Sequence, residues 1–374
     1  MKVLFAGGGT GGHVCPAVAV ARSLAELAPG SSVLFLGTGR PVEERILSRA
    51  RLPHRALASA PFGWRTVFAN ARGFARAYWE ARRFMPDVVL GLGGYASAPG
   101  VLAAKALGAR VALFEPNAVA GKATTTLARL ADEVYLHWEQ PLAAKTVVTG
   151  TPLNENAVAP RGLTPQEARA SLDLPEDKPC VLVVGGSQGA RGLNRWIQDA
   201  IHEVATDVSF IHISGAEDLD VVRHAYRTAD ANARVVPFLD GMATAYRAAT
   251  IAVCRSGAAT LAELAAEGVP AVLVPYPRAV LDHQRANARA YELQGGGKLL
   301  DEGALGASVL EQVCAMAEDE LLLREMRKAA RAQAKPDAAR SIARALLALA
   351  HYSEPTVSTD KGVRTAGRVP AHAL

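Results

Sequence analysis

Apolar residues along this chain fall into short unbroken runs separated by longer amphipathic stretches. Runs at 2–6, 33–36, 88–92, 111–114, 133–136 and 146–149 form one series. Runs at 180–184, 208–213, 234–236, 251–254, 271–274 and 298–300 form a second. Ala- and Arg-rich stretches of helical character lie between most of them. Val181-Leu182-Val183-Val184 and Val272-Leu273-Val274 show no polar alternation, as expected of strands buried on both faces. Strands alternating with helices predict parallel sheets joined by crossover helices.

The two series open alike. Val3-Leu4-Phe5-Ala6 leads into Gly7-Gly8-Gly9-Thr10-Gly11-Gly12, and Val181-Leu182-Val183-Val184 leads into Gly185-Gly186-Ser187-Gln188-Gly189. Each reads as a strand, a glycine turn and a helix start. The expected class is α/β, with two Rossmann-like domains facing across a cleft. The first domain is expected over 1–150 and the second over 180–335. The linker at 151–179 carries Pro152, Pro160, Pro165, Pro175 and Pro179, as a joint between domains would. A last helix over 336–352 is expected to pack back on the first domain. The segment 353–374 has no hydrophobic period and reads as a disordered tail.

Composition narrows the class. The chain has 374 residues, half of them hydrophobic and 21% charged, enough for two cores and unlike a disordered or fibrous protein. No stretch has the 18 unbroken apolar residues of a spanning helix. The N-terminal apolar run is too short for a secretory signal. Cys15, Cys180, Cys254 and Cys314 are far apart with no C-x-x-C pair, so neither a disulfide framework nor a zinc site is expected, and a reducing cytosol fits. Charge is uneven: residues 1–150 carry a net +8 and 151–374 a net −3. The first half should face something anionic.

Gly7, Gly9 and Gly12 satisfy G-x-G-x-x-G. Such glycines let backbone N–H groups approach an anion at the positive end of a helix. A nicotinamide-dinucleotide site also needs an acid at the end of the second strand. The first acid there is Glu43, well beyond Gly37-Thr38-Gly39, so that reading lacks its ribose anchor. Three further polar, glycine-bearing turns follow strands: Gly91-Leu92-Gly93-Gly94-Tyr95-Ala96-Ser97, Gly185-Gly186-Ser187-Gln188-Gly189-Ala190-Arg191 and Arg255-Ser256-Gly257-Ala258-Ala259-Thr260. Four such turns over two domains imply a cleft that holds phosphates.

Together these motifs resemble the MurG family. The matching runs are Gly8-Gly9-Thr10-Gly11-Gly12-His13-Val14-Cys15-Pro16, Gly91-Leu92-Gly93-Gly94-Tyr95, Glu115-Pro116-Asn117, Gly185 to Arg191, Arg255 to Glu263, and Asp282-His283-Gln284-Arg285-Ala286-Asn287-Ala288. They occur in order from about residue 2 to 350. The resemblance implies the glycosyltransferase-B architecture. It also implies inverting transfer of N-acetylglucosamine (GlcNAc) from UDP-GlcNAc to the MurNAc 4-hydroxyl of undecaprenyl-pyrophosphoryl-MurNAc-pentapeptide (lipid I). The product would be lipid II, for peptidoglycan synthesis.

The same resemblance assigns roles. Ser187 would bind the UDP diphosphate, Glu263 the ribose hydroxyls, and Leu239 would wall the uracil. Ala258, Ala259, Thr260, Leu261 and Ala262 would line the nucleotide and sugar with Glu263, and Gln284 would bond GlcNAc hydroxyls. Thr10, Gly11 and Gly12 would lie at the reaction centre beside His13, the candidate base, since an imidazole titrates near neutral pH. Gly93, Gly94 and Tyr95 would cradle the acceptor diphosphate, and Asn117 would contact the GlcNAc. Such a diphosphate site can work without a metal, and neither a metal nor a cofactor is expected. Three positions depart from the family pattern: Asn154 stands where many members have Arg, Pro116 replaces a Gln, and Thr124 falls where Asn is frequent. Arg161 and Arg191 are candidates to replace the missing charge.

Residues 64–85 carry five Arg and one Glu, with Phe68, Phe74 and Tyr78 among Arg65, Arg72, Arg76, Arg82 and Arg83. That segment reads either as an ordinary helix with a basic solvent face or as a contact with anionic lipid. The lipid-linked acceptor favours the second and a peripheral place on the cytoplasmic face of the inner membrane. Other cell-wall synthesis and division proteins are possible partners by the same resemblance; nucleic acid is not expected, for want of a zinc finger or RNP-like motif. A UDP-GlcNAc 2-epimerase and a non-catalytic nucleotide-binding scaffold are the alternatives.

Overall fold

The computed structural model describes residues 1–351 except 10, 58–66, 155–156, 161, 187–188, 206 and 240, and only the backbone of 67–70. Thr10, Ser187, Arg161, Arg65 and the 353–374 tail therefore lie outside the described residues, as does the side chain of Phe68.

The first half runs β1 (Lys2–Ala6), α1 (Gly11–Leu27), β2 (Ser32–Gly37), α2 (Pro41–Arg49), β3 (His54–Ala56), α3 (Val67–Phe84), β4 (Val88–Gly91), α4 (Ser97–Ala106), β5 (Arg110–Glu115), α5 (Lys122–Leu127), β6 (Glu133–Leu136) and β7 (Lys145–Val148). After α6 (Pro165–Ala170) the second half runs β8 (Cys180–Val184), α7 (Arg191–Ala200), β9 (Ser209–Ile213), α8 (Leu219–Thr228), β10 (Ala233–Val236), α9 (Ala243–Ala248), β11 (Ile251–Cys254), α10 (Ala258–Glu267), β12 (Ala271–Leu273), α11 (His283–Leu293) and β13 (Gly297–Leu299). Three helices close the described chain: α12 (Ala307–Glu318), α13 (Glu320–Ala332) and α14 (Ala338–Leu349).

Two parallel sheets result, ordered β3-β2-β1-β4-β5-β6-β7 and β10-β9-β8-β11-β12-β13. Side chains alternate across each strand, so each sheet has a core on both faces. Val3 and Phe5 enter one cluster, Leu4 and Ala6 the other. In the second sheet Val181 and Val183 face one cluster, Cys180, Leu182 and Val184 the other. This accounts for the unbroken apolar runs in the sequence. One strand, β3, was not expected. It is a three-residue edge strand with an exposed Arg55 and Ala56, too short and polar to carry a hydrophobic signal.

The chain crosses between the sheets twice, and the crossings touch. Gly150, at φ +87°, leaves no room for a Cβ, which would fall 2.3 Å from Lys335 Cβ. Beside it Thr151 Oγ1 and His137 Nδ1 are 2.9 Å apart. Burial, with Lys335 nearby, pushes His137 down to about 4. After the second crossing α14 lies on α1, and Ile342, Ala343, Leu346 and Leu347 complete the first sheet's core. Among the described residues no helix is long and apolar enough to cross a membrane.

Leu346 is fully buried. Leu346→Ala should cost about 2–5 kcal/mol, the range for a truncated core leucine. Denaturant unfolding measures it; an unchanged midpoint would mean that α14 adds nothing to the core it covers.

Candidate active site

In an open parallel sheet, ligands bind outside the carboxyl ends of the strands where the strand order reverses. That reversal falls between β1 and β4 in the first sheet and between β8 and β11 in the second. The four glycine-bearing turns are the strand ends at these two points, since Ala6 pairs with Gly91 and Val184 with Cys254.

After β1 the chain turns through Gly7, Gly8 and Gly9 at φ +125°, +154° and +94°, conformations that side chains other than glycine adopt only under strain. Gly11 and Gly12 then form the first turn of α1, where backbone N–H groups lack helical partners. His13 follows on the same turn. It borders the β4 turn: a Cβ on Gly93 would lie 3.9 Å from both His13 Cδ2 and Nε2, and 3.8 Å from Thr124 Oγ1. Burial holds the His13 imidazole below its ordinary range; Glu115 opposes this and His283, at the start of α11, adds to it. His13 therefore feels groups from both halves. Gly93 is buried, Gly94 is exposed and Tyr95 is half-buried.

Glu115 ends β5 and is buried. Its Oε1 accepts from Asn117 N (3.1 Å) and Asn117 Nδ2 (2.9 Å), and its Oε2 from Gly121 N (3.0 Å). The carboxylate thus shapes the loop that presents Asn117. From the other half, the buried Asn287 donates Nδ2 to Asn117 Oδ1 (3.1 Å) and to Ser256 O (3.1 Å), and accepts from Ala118 N (2.8 Å). One amide thereby ties the β5 turn to the β11 turn. Ser256 Oγ in turn donates to Gln284 O (2.7 Å), and Gln284 Oε1 accepts from Tyr276 N (2.9 Å). Among the described residues the Gln284 amide N–H groups have no hydrogen-bond partner, and Asn117 is a bridge as well as a candidate contact.

In the second half, Gly257 caps α10. Ala259, Thr260 and Glu263 are its half-buried positions, and Ala258 and Ala262 are buried. Leu261 needs correction as a lining side chain: it is fully buried in the core under the sheet and can offer a ligand only its backbone. Leu239 is half-buried against that same core. Glu263 Oε2 accepts from Tyr246 Oη at 2.7 Å. Glu263 also helps to raise the Cys15 thiol, after burial, to about 11. The first turn of α1 and the middle of α10 are thus within electrostatic reach across the cleft. Arg255 is buried; it donates to Val274 O (3.2 Å) and Pro275 O (3.1 Å), pairs with Glu302 and lies over the Tyr276 ring. This braces the β11 and β12 ends against one another.

At the departures from the family pattern, Arg22 Nη1 donates to Asn154 Oδ1 at 3.4 Å, and Arg191 pairs with Glu217 on an exposed surface. Sequence reasoning did not assign Glu115, Asn287 or Tyr246. The signals were present: a carboxylate closing a buried strand, and an Asn three residues after Gln284 on one helix face. Among the described residues, no group of three or more His, Cys, Asp or Glu is placed to hold a metal ion.

Two doubly wound halves with phosphate-type turns facing one cleft define the class of two-domain nucleotide-sugar enzymes. The glycosyltransferase family 28 N-terminal domain matches residues 3–136 and the family 28 C-terminal domain residues 180–342. The chain is 37% identical, over 91% of its own length and 97% of the relative's, to a Geobacter metallireducens protein named UDP-N-acetylglucosamine–N-acetylmuramyl-(pentapeptide) pyrophosphoryl-undecaprenol N-acetylglucosamine transferase. It superposes on the crystal structure of Acinetobacter baumannii MurG with a TM-score of 0.75 at 32% identity, covering 93% of this chain and 99% of that one. The chain belongs to glycosyltransferase family 28 and, within it, to the MurG family. A UDP-N-acetylglucosamine 2-epimerase structure, 15% identical with a TM-score of 0.66 over 95% of this chain and 98% of that one, shares the fold alone.

Burial pushes the Glu263 carboxyl up to about 7, against the smaller opposing effect of the Tyr246 hydrogen bond. The folded protein then holds this proton after the unfolded chain has lost it. Stability is therefore lost as pH rises from the ordinary 4.5 through about 7. Glu263→Gln abolishes that titration and still accepts from Tyr246. It should match the wild type near pH 4 and exceed it by about 1–3 kcal/mol near pH 8. Unfolding midpoints at the two pH values decide this; coincident midpoints at the higher one contradict a raised carboxyl.

Proposed function

We infer that this chain transfers GlcNAc from UDP-GlcNAc to the MurNAc 4-hydroxyl of lipid I, giving lipid II for peptidoglycan. The observation that carries the reading is the match to the MurG family along nearly the whole chain; the Asn117–Asn287 bridge, which joins the β5 turn to α11, supports a site shared by the two halves. The donor sits on the second half: the α7 and α10 N-termini meet the diphosphate, Ser187 adds a hydroxyl, and Glu263 accepts from the ribose. Gly93, Gly94 and Tyr95 hold the acceptor diphosphate. As the 4-oxygen attacks the anomeric carbon, the bond from that carbon to the UDP oxygen breaks and the configuration inverts. The hydroxyl proton passes to His13, and helix N-terminal N–H groups take up the charge on the leaving UDP. An epimerase would share this fold; the Gly-Gly-Thr-Gly-Gly-His run at 8–13 and the Gly-Gly-Tyr run at 93–95 favour transfer.

Burial holds the His13 imidazole below its ordinary range, which favours its neutral, proton-accepting form at neutral pH. His13→Ala should reduce kcat about 10²–10⁴-fold with little change in donor KM. The acid limb of the wild-type kcat–pH profile should fall below pH 6.5, the ordinary imidazole value, and vanish in the variant. Survival of that limb would move the base role to another group and leave His13 as an orienting residue.

Of residues 64–85, the segment assigned a membrane contact, α3 takes up Val67–Phe84, and 64–66 lie outside the described residues. Gly73, Ala77 and Ala81 are buried, while Arg72, Arg76, Arg82 and Arg83 are exposed. Trp79 stands among these arginines, 60% exposed, with the Arg83 guanidinium 5.8 Å from its ring centre. Phe74 and Met85 are exposed on the flank. Cations around an interfacial aromatic suit an anionic lipid surface, which supports a peripheral position on the cytoplasmic face. Replacing Arg72, Arg76, Arg82 and Arg83 by Gln should weaken binding to anionic vesicles more than tenfold, at about 1 kcal/mol per charge. Activity on a short-chain soluble acceptor should stay near wild type; matching losses in both assays would assign these arginines to the fold or the active site.

A further inference from the structure

Glu43 is the acid that failed to serve as a dinucleotide ribose anchor, and the structure gives it another place. It lies in the first turn of α2 and is 3% exposed. Its Oε2 accepts from Gly9 N (3.0 Å), Thr38 N (3.1 Å) and Thr38 Oγ1 (2.8 Å), while Oε1 accepts from Thr38 N (3.0 Å). The carboxylate occupies room that two glycines leave. A Cβ on Gly8 would fall 2.7 Å from Oε2, and one on Gly37 would overlap Oε1 outright. Arg40 Nη1, three residues earlier, donates to Gly9 O at 3.2 Å. Both polar groups of Gly9 are thus held by the β2–α2 turn, Glu43 taking the N–H and Arg40 approaching the carbonyl.

We propose that Glu43 is a positioning residue for the transfer reaction. It clasps the β1 glycine turn from behind and so fixes the first turn of α1 and His13 at the cleft. Three consecutive glycines at positive φ have wide conformational freedom; core packing of Val14, Ala17 and Val18 holds the body of α1, and Glu43 holds the turn that leads into it. Aligned groups lose about 10²-fold in rate when displaced by about an ångström. Glu43 achieves its effect without facing the cleft, since its carboxylate is enclosed by Gly8, Gly9, Gly37 and Thr38. The proposal rests on reading the β1 turn as the reaction centre.

The test compares Glu43→Ala, Glu43→Gln, Thr38→Val and His13→Ala in the full-length enzyme with UDP-GlcNAc and a short-chain lipid I analogue. Glu43→Ala should lower kcat about 10²-fold while donor KM and UDP binding stay within about twofold, because the donor pocket lies on the other half. Glu43→Gln should recover part of the rate: with its carbonyl oxygen in the place of Oε2 it still accepts from Gly9 N and Thr38 Oγ1, while its Nε2 faces the Thr38 N–H that Oε1 accepts from in the wild type. Thr38→Val, which removes one of these donors and leaves the carboxylate, should lose several-fold in kcat. A Glu43→Ala enzyme with wild-type kcat overturns the proposal, and so does a Glu43→Gln enzyme as slow as Glu43→Ala. Should Glu43→Ala not fold, Thr38→Val decides, and a wild-type kcat there is refutation. Loss of rate in His13→Ala but not in Glu43→Ala sinks the clasp alone; wild-type rates in both sink the reading of the turn as the reaction centre.

Discussion

Backbone N–H groups can meet an anion at close range only where no side chain stands in the way, and the architecture of this enzyme follows from that constraint. It requires glycine at the turns, and glycine gives no rigidity of its own. Each glycine turn must therefore be held by something else. At β1 the holders are Glu43 and Arg40; in the loop after β5 the holder is Glu115, through Asn117 and Gly121; at β11 it is Asn287, through Ser256 O. A buried carboxylate or amide suits the task because it accepts or donates to several backbone groups at once, and each of those groups would otherwise be buried without a partner.

The sheets make this economical. Strand order reverses once in each, and the two turns beside each reversal open on a common crevice. The cleft therefore receives helix N-termini from both halves, with His13 on one side and Glu263 on the other. Their electrostatic environments mix. His283 of the second half acts on His13, and Glu263 acts on Cys15 of the first. The chemistry assigned to the cleft needs that mixing, because the nucleophile and the leaving group come from opposite sides.

Much of this was legible in the sequence. Twelve of the thirteen strands among the described residues announce themselves as short apolar runs, and the doubled strand-glycine-helix opening reveals two similar halves. Its limits have physical causes. β3 is a short, largely exposed edge strand, so burial imposed no pattern on it. Leu261 lies inside a matched motif, yet helical periodicity turns its side chain into the core. Sequence spacing names a helix, not the face that a residue occupies. Glu43 was read only for what it fails to do for a dinucleotide, because its partners Gly9 and Thr38 come from two different turns. Asn287 lies in a matched motif that gives it no role of its own, since its partner Asn117 is 170 residues away. Long-range polar pairs leave no periodic trace.

The contact between the halves differs in kind at its two ends. At the cleft it is polar: Asn287 meets Asn117 and Ala118 through hydrogen bonds that water can replace, and such bonds contribute only about 0.5–1.5 kcal/mol each over their hydrated state. At the crossings it is close-packed: Gly150 leaves no space beside Lys335, and Thr151 is bonded to a buried His137. The linker is fastened further by Ala159 N donating to Glu267 Oε1 at 2.6 Å. Separating the halves at the crossings would open a packed contact, whereas separating them at the cleft exposes groups that solvent satisfies. The resistance is lower at the mouth than at the joint. A fold that must admit a nucleotide sugar from one side and a lipid-linked sugar from the other is best served by that asymmetry, with α14 keeping the chain's return on the first half closed through Ile342 and Leu346.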